Sequence, residues 1–190
     1  MTNTAARLGR PVAVAVAVLA MGVAPVGATS ASAAPSAPVS AAVNAAGSAS
    51  GGAAGRLGPY GYGGVTLGMS AKQAQKTRRV VKKFGGGGGC SGWDLRAHPT
   101  GADGAGLFIS KKRGVAVIFA PRGVRTPEGI GIGSTRRQVE KAYPHLRTAA
   151  SGYPVTTVPG NRRADYVFLL SRGGKVYQLA LSLKTQDCVN

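Results

Sequence analysis

One segment of this chain returns, at its glycine, capping and most of its apolar positions, 65 positions later. Gly64-Val65-Thr66-Leu67-Gly68-Met69-Ser70-Ala71-Lys72-Gln73-Ala74 corresponds to Gly129-Ile130-Gly131-Ile132-Gly133-Ser134-Thr135-Arg136-Arg137-Gln138-Val139. The apolar positions coincide (Val65 with Ile130, Leu67 with Ile132, Ala74 with Val139), as do Gly68 with Gly133, Ser70 with Thr135 and Gln73 with Gln138. Two copies of one supersecondary unit imply a pseudo-symmetric scaffold with a shared face. Scaffolds of that kind more often hold partners than perform chemistry.

The local chemistry of each copy predicts a helix. A hydroxyl followed three residues later by Gln is a capping box, in which the hydroxyl accepts from the N3 amide and Gln reaches back to the N-cap amide. Ser70 and Thr135 are the expected N-caps. Helical spacing then predicts one helix over 71–84, with Ala74, Thr77, Val81 and Phe84 inward and Lys72, Lys76, Arg79 and Lys83 as an outward basic stripe. The glycine run 85–89 ends it. A shorter helix is expected over 136–143, with Pro144 stopping it. Beyond each helix the period changes to two. Strands are expected near 107–110 and 115–119, near 167–171 and 176–182, and more weakly near 90–96 and 154–158. The expected fold is α+β: a helix followed by three antiparallel strands, twice, with both helices on one face of an antiparallel sheet. Repeat one would span about 63–120 and repeat two about 128–190.

The N-terminal part reads as processing sequence. Arg7 and Arg10 precede an apolar stretch at 12–23, and Ala31-Ser32-Ala33 has the small-x-small cleavage pattern of a secretory signal peptide, 1–33. The apolar run is shorter than the ~20 residues a membrane span needs, so no anchor is expected after cleavage. Residues 34–56, built almost wholly of Ala, Ser, Gly, Pro and Val until Arg56, read as a flexible linker. The folded domain is then 57–190, about 130 residues, enough for one core. The chain has two cysteines, Cys90 and Cys188. In an exported protein they are expected to pair, and no His stands at ligand spacing beside either, so no metal site is expected.

The Leu-Gly-Met-Ser-x-x-Gln-Ala segment opening a helix, followed by antiparallel strands and then repeated, resembles the beta-lactamase inhibitory proteins secreted by actinomycetes and the small envelope lipoproteins that share their helix-plus-sheet unit. The second copy, running from Thr126-Pro127-Glu128-Gly129 to Tyr143-Pro144, resembles a stretch common in secreted actinomycete proteins. The resemblance implies a binding scaffold. Inhibition of beta-lactamases is not carried over. Those proteins carry a disulfide within each repeat and an inhibitory face rich in aromatic and acidic residues, whereas this chain has one cysteine per half, one Trp and six acids.

Charge points to the kind of partner. The formal charge is +18, and loss of Arg7 and Arg10 with the leader lowers it by two. So basic a surface attracts polyanions in a salt-dependent way. Lys111-Lys112-Arg113 joins the helix stripe as candidate anion- or partner-binding residues, with Arg162-Arg163 adding charge at an expected turn. Nucleic acid is disfavoured, because aromatic residues for base stacking are sparse. Catalysis finds no pattern. His98 and His145 lack an acid or nucleophile at a recognised spacing, and the six acids are scattered. The glycine run 85–89 follows a helix and lacks the Lys-Ser/Thr of a phosphate loop. No catalytic residue, cofactor or metal is therefore expected. The expected function is a secreted, non-enzymatic module engaging an extracellular protein or an anionic envelope polymer. The competing expectations are a component held in the envelope by charge alone and a hydrolase without a recognised motif.

Overall fold

Sheet, rather than helix, dominates this chain. The computed structural model describes residues 55–85 and 87–189, so the expected leader and the linker as far as residue 54 lie outside the described part. A two-stranded hairpin, β1 (Gly61–Tyr62) and β2 (Val65–Thr66), precedes α1 (Ala71–Lys76). Then come β3 (Val80–Gly85), β4 (Cys90–Leu95), β5 (Leu107–Ser110) and β6 (Gly114–Phe119). The second half contains α2 (Arg136–Ala142), β7 (Arg147–Thr148), β8 (Pro154–Val158), β9 (Asn161–Leu170) and β10 (Val176–Leu183). The eight strands β3 to β10 form one antiparallel sheet in the order β3-β4-β5-β6-β10-β9-β8-β7. Each half meanders from an outer edge inward, and β6 pairs with β10 at the centre.

This corrects the expected pair of helix-plus-three-strand repeats with both helices on one face. The helices have six and seven residues, and each buries one side chain, Ala74 in α1 and Val139 in α2. Elements so short cannot form a covering layer. The large core cluster is completed instead by Val65 of β2 and the loop residues Leu57, Val124 and Ile130, with Tyr143 just past α2. The first helix was expected to reach Phe84, but it caps at Thr77, and Arg78 takes a left-handed φ of 57°. From Val80 the chain is a strand paired with β4. The helical spacing of Ala74, Thr77, Val81 and Phe84 is coincidental beyond Thr77. β-Branched Val80 and Val81 suit a pleated surface, and the ladder with β4 satisfies their backbone. Val81 and Phe84, expected inward, are 42% and 36% exposed.

The alternation of the strands assigns the two faces. Trp93, Leu107, Ile118, Leu181 and Tyr166 stand opposite one another on successive strands from β4 to β9, and all are buried. Each such apolar side chain contributes roughly 1.5–3 kcal/mol relative to an exposed one. Trp93 therefore packs in the core, on the face opposite Cys90 three residues away in the same extended strand.

Both loops before the helices are held in the same manner. Ser70 and Thr135 each form a complete capping box with Gln73 and Gln138. Gly68 N–H donates to Val115 O, and Val115 N–H to Met69 O; Gly133 N–H donates to Val176 O, and Val176 N–H to Ser134 O. Each segment is thereby tied to the first part of its half's last strand. Gly114, at φ 72°, lies against this contact, and a Cβ there would sit 2.4 Å from Gly68 O. Cys90 and Cys188 are joined in a disulfide with Cα atoms 5.6 Å apart, which secures the C-terminal tail to β4.

Candidate functional site

Two surfaces stand out, one apolar and one cationic. The apolar one is the second face of the sheet. Phe84, Gly92, Phe108, Val117, Ser182, Asp165 and Thr157 lie opposite one another in a row across seven strands. The Phe84 ring covers Gly92 so closely that a Cβ there would lie 2.3 Å from it. Phe84, Phe108 and Phe119 follow edge to face, with centroids 6.4 and 6.1 Å apart. Beyond Phe119, a groove of about 370 Å³ has Val155, Val167 and Ala180 in its lining. The C-terminal tail contributes Gln186 and Val189 to its wall, and Cys188 and Val189 pack against the small buried cluster of Ala116, Val117 and Ala180. At one end Asp165 binds Arg147 at 2.7 Å and lies 3.7 Å from Lys184.

The cationic surface is a cleft of about 700 Å³ whose lining includes Tyr60, Lys112, Arg113, Asn161, Arg163 and Lys184. A neighbouring cleft of about 460 Å³ shares Lys112 and Arg113 and adds Lys72 and Lys111. Among the described residues, neither lining contains an acidic one. The turn carrying Lys111 to Arg113 is held from below. Buried Ser110 accepts with its Oγ from the amides of Lys112 and Arg113, both at 3.1 Å.

The residues of the expected basic stripe separate. Lys72 and Lys76 are exposed on α1, Arg79 is exposed on the segment after it, and Lys83 lies on β3. Lys83 is half-buried and structural: its ammonium donates to Thr100 O and Oγ1 at 3.1 and 2.9 Å and sits 3.4 Å from the Asp94 carboxylate. Helical spacing placed it on an outward stripe; the strand turns it toward the loop that follows β4. Lys111, Lys112 and Arg113 are exposed at the β5–β6 turn, while Arg162 and Arg163 lie on β9 rather than in a turn. The cleft partners Tyr60, Arg163 and Lys184 are distant in sequence from Lys112. Only the Arg162-Arg163 pair gave any signal, and that was of charge, not position.

Titration chemistry is concentrated at structural contacts. Asp94 is 5% exposed, and burial alone would push its carboxyl up. Bonds from the Thr100 hydroxyl and amide (2.7 and 2.9 Å) and the Gly106 amide (3.0 Å), with the Lys83 charge, outweigh burial and hold it below the ordinary 3.8. Burial, then the bond it donates to Glu128, raises Tyr143, which also bonds Thr126 at 2.7 Å. Burial also raises Tyr166, whose hydroxyl donates to Leu57 O at 2.8 Å. Burial raises Tyr62, whose hydroxyl lies 3.0 Å from His98 Nε2. No carboxylate bonds the His98 ring among the described residues, and His145 is exposed. Among those residues the one cluster of potential metal ligands is Cys90, Asp187 and Cys188. Both of its sulfurs are committed to the disulfide, which leaves a single carboxylate.

No family model, curated protein or solved structure matches this chain. The resemblance to the inhibitory proteins thus rests on the two 11-residue segments alone. Among the described residues no helix is long and apolar enough to cross a membrane.

Proposed function

We propose that this chain is a secreted, non-enzymatic module that binds a macromolecule in the extracellular or envelope space, and that a protein partner seats on the second face of its sheet. The observation that carries this reading is the aromatic row Phe84, Phe108 and Phe119 continuing into the Val155–Val167 groove. An aromatic row running into a groove whose wall also holds Asp165 and Lys184 suits a protein partner better than a polyanion. Tyr177, 51% exposed on the neighbouring part of β10, would add a further anchor of the kind that dominates protein interfaces. The disulfide and the signal-like leader support export, because such a bridge persists in an oxidising compartment.

The test is capture from envelope material and culture fluid at two salt concentrations, with the mature, disulfide-bonded protein as bait. The proposal expects one protein to be retained at moderate salt. Its capture should be lost with Phe84→Ser/Tyr177→Ser and kept with Lys72→Gln/Lys76→Gln. Retention on cell-wall material that simply fades as salt rises, with no preferred partner, would instead favour a component held by charge.

A further inference from the structure

We propose that the cleft between the β5–β6 turn and the β9–β10 strands is a second binding site, for a linear polymer without stacking bases that carries tetrahedral oxyanions in series, such as an inorganic polyphosphate or a base-free phosphodiester chain. It shares with the proposed function only the premise that the chain works by binding, and its residues are not those of the aromatic row.

Four cations from distant parts of the chain converge there: Lys112 and Arg113 on the turn, Arg163 on β9 and Lys184 just after β10. Among the described residues, Lys112, Arg113 and Arg163 belong to none of the four ion pairs. Lys184 is partly committed, donating to Thr157 Oγ1 at 2.9 Å with Asp165 3.7 Å away. Bringing Lys112, Arg113 and Arg163 to one cleft without a paired carboxylate is unfavourable for the empty protein and favourable for an anion that enters it.

The frame of the cleft is built while its charges are left available. Ser110 holds the turn from beneath, Asn161 Oδ1 accepts from the Arg163 amide at 3.1 Å, and Lys184 N–H donates to Arg163 O at 3.0 Å. Asn161 Nδ2 donates to Pro59 O at 2.8 Å, and the Tyr60 hydroxyl to Gly160 O at 2.9 Å, which ties the near wall to the turn between β8 and β9. The backbone positions of the charges are thus set before a ligand arrives, while the side chains of Lys112, Arg113 and Arg163 remain exposed.

Size and continuity favour a chain over a single ion. A cleft of about 700 Å³ far exceeds one phosphate, and its four cations come from three separate segments of the chain. Charge continues across the turn to Lys111 and Lys72 in the neighbouring cleft. Two arginines among the four cations favour oxyanions that can take both arms of a guanidinium, and lysines serve as point charges beside them. Among the described residues Tyr60 is the single aromatic in the lining, too few for a base-stacking track.

The test titrates the mature, disulfide-bonded protein with long-chain inorganic polyphosphate, orthophosphate, poly-glutamate and single-stranded DNA, across a range of salt. Polyphosphate should bind, with affinity falling linearly on logarithmic axes as salt rises. Arg113→Gln/Arg163→Gln should weaken it roughly tenfold and reduce the salt slope by about 1–2. Lys76→Gln/Arg137→Gln removes the same charge from the two helices and should change affinity by less than about twofold. Phe84→Ser/Tyr177→Ser should leave polyphosphate binding intact, so failure of the protein-partner reading and failure of this one are separable. Equal weakening by the two cation pairs would overturn the site and leave net charge alone. Orthophosphate binding as tightly as the polymer would overturn the chain, and equal binding of poly-glutamate the oxyanion. A preference for DNA would replace the proposal with a nucleic-acid reading.

Discussion

Replacing Asp94 tests whether the loop after β4 is organised by one buried carboxylate. Asp94 receives three hydrogen bonds, two from Thr100 and one from Gly106, and faces the half-buried Lys83 ammonium. Bonds to a charged acceptor contribute about 1.5–3 kcal/mol each, and breaking a fully buried ion pair costs about 3–5 kcal/mol. The site falls short of that sum. Gly106 N–H also reaches Trp93 O at 2.9 Å, Thr100 is exposed enough for water to replace its partner, and Lys83 keeps Thr100 as an acceptor. Asp94→Ala should therefore cost about 3 kcal/mol and Asp94→Asn, which keeps an acceptor, about 1–2 kcal/mol. For a domain of this size the alanine variant should melt roughly 10 °C lower. The pH dependence provides the sharper check. The carboxyl titrates below its ordinary 3.8 in the folded protein, so its contribution is fully present above that value and disappears as pH falls through the folded pKa. Thermal unfolding from pH 7 to pH 2 should show the gap between the native protein and Asp94→Asn closing below pH ~4. A gap that stays constant across that range, or an alanine variant as stable as the native protein, would refute the reasoning.

The disulfide closes a loop of 98 residues, which on the loop-entropy relation stabilises the fold by about 4.7 kcal/mol; Cys90→Ser/Cys188→Ser should lose most of that in denaturant titration while far-ultraviolet dichroism still reports a sheet. At the N-caps, Thr135→Ala and Ser70→Ala should each cost about 0.5–2 kcal/mol and the glycine variants only a few tenths, so equal alanine and glycine costs would argue against the caps. Gly114→Ala should cost more than about 2 kcal/mol, because it combines a left-handed φ with a Cβ against the Gly68 carbonyl; a calorimetric midpoint within a degree of the native one would show that the contact opens freely.

What the sequence determined by itself is local. Ser70 with Gln73 and Thr135 with Gln138 specify helix starts because the partners lie three residues apart, within reach whatever the rest of the chain does. Period-two alternation marked β5, β6, β10 and the second half of β9 for the same reason, and β4 and β8 more weakly. The length of the first helix was a matter for tertiary structure. Residues 71–84 satisfy the helical period, but pairing with β4 makes Val80–Gly85 a strand, and β4 lies beyond the glycines that were read as a helix end. That decision removed Lys83 from the basic stripe and placed it beside Asp94, an acid with no sequence signal of its importance. It also set Phe84 over Gly92, opening the aromatic row on the second face. The cationic cleft is further still from local reading. Lys112 and Arg163 meet because β6 and β10 are neighbours at the centre of the sheet. Which charges share a cleft depends on strand order, and strand order is set by which apolar rows can be buried together, a property of the assembled core.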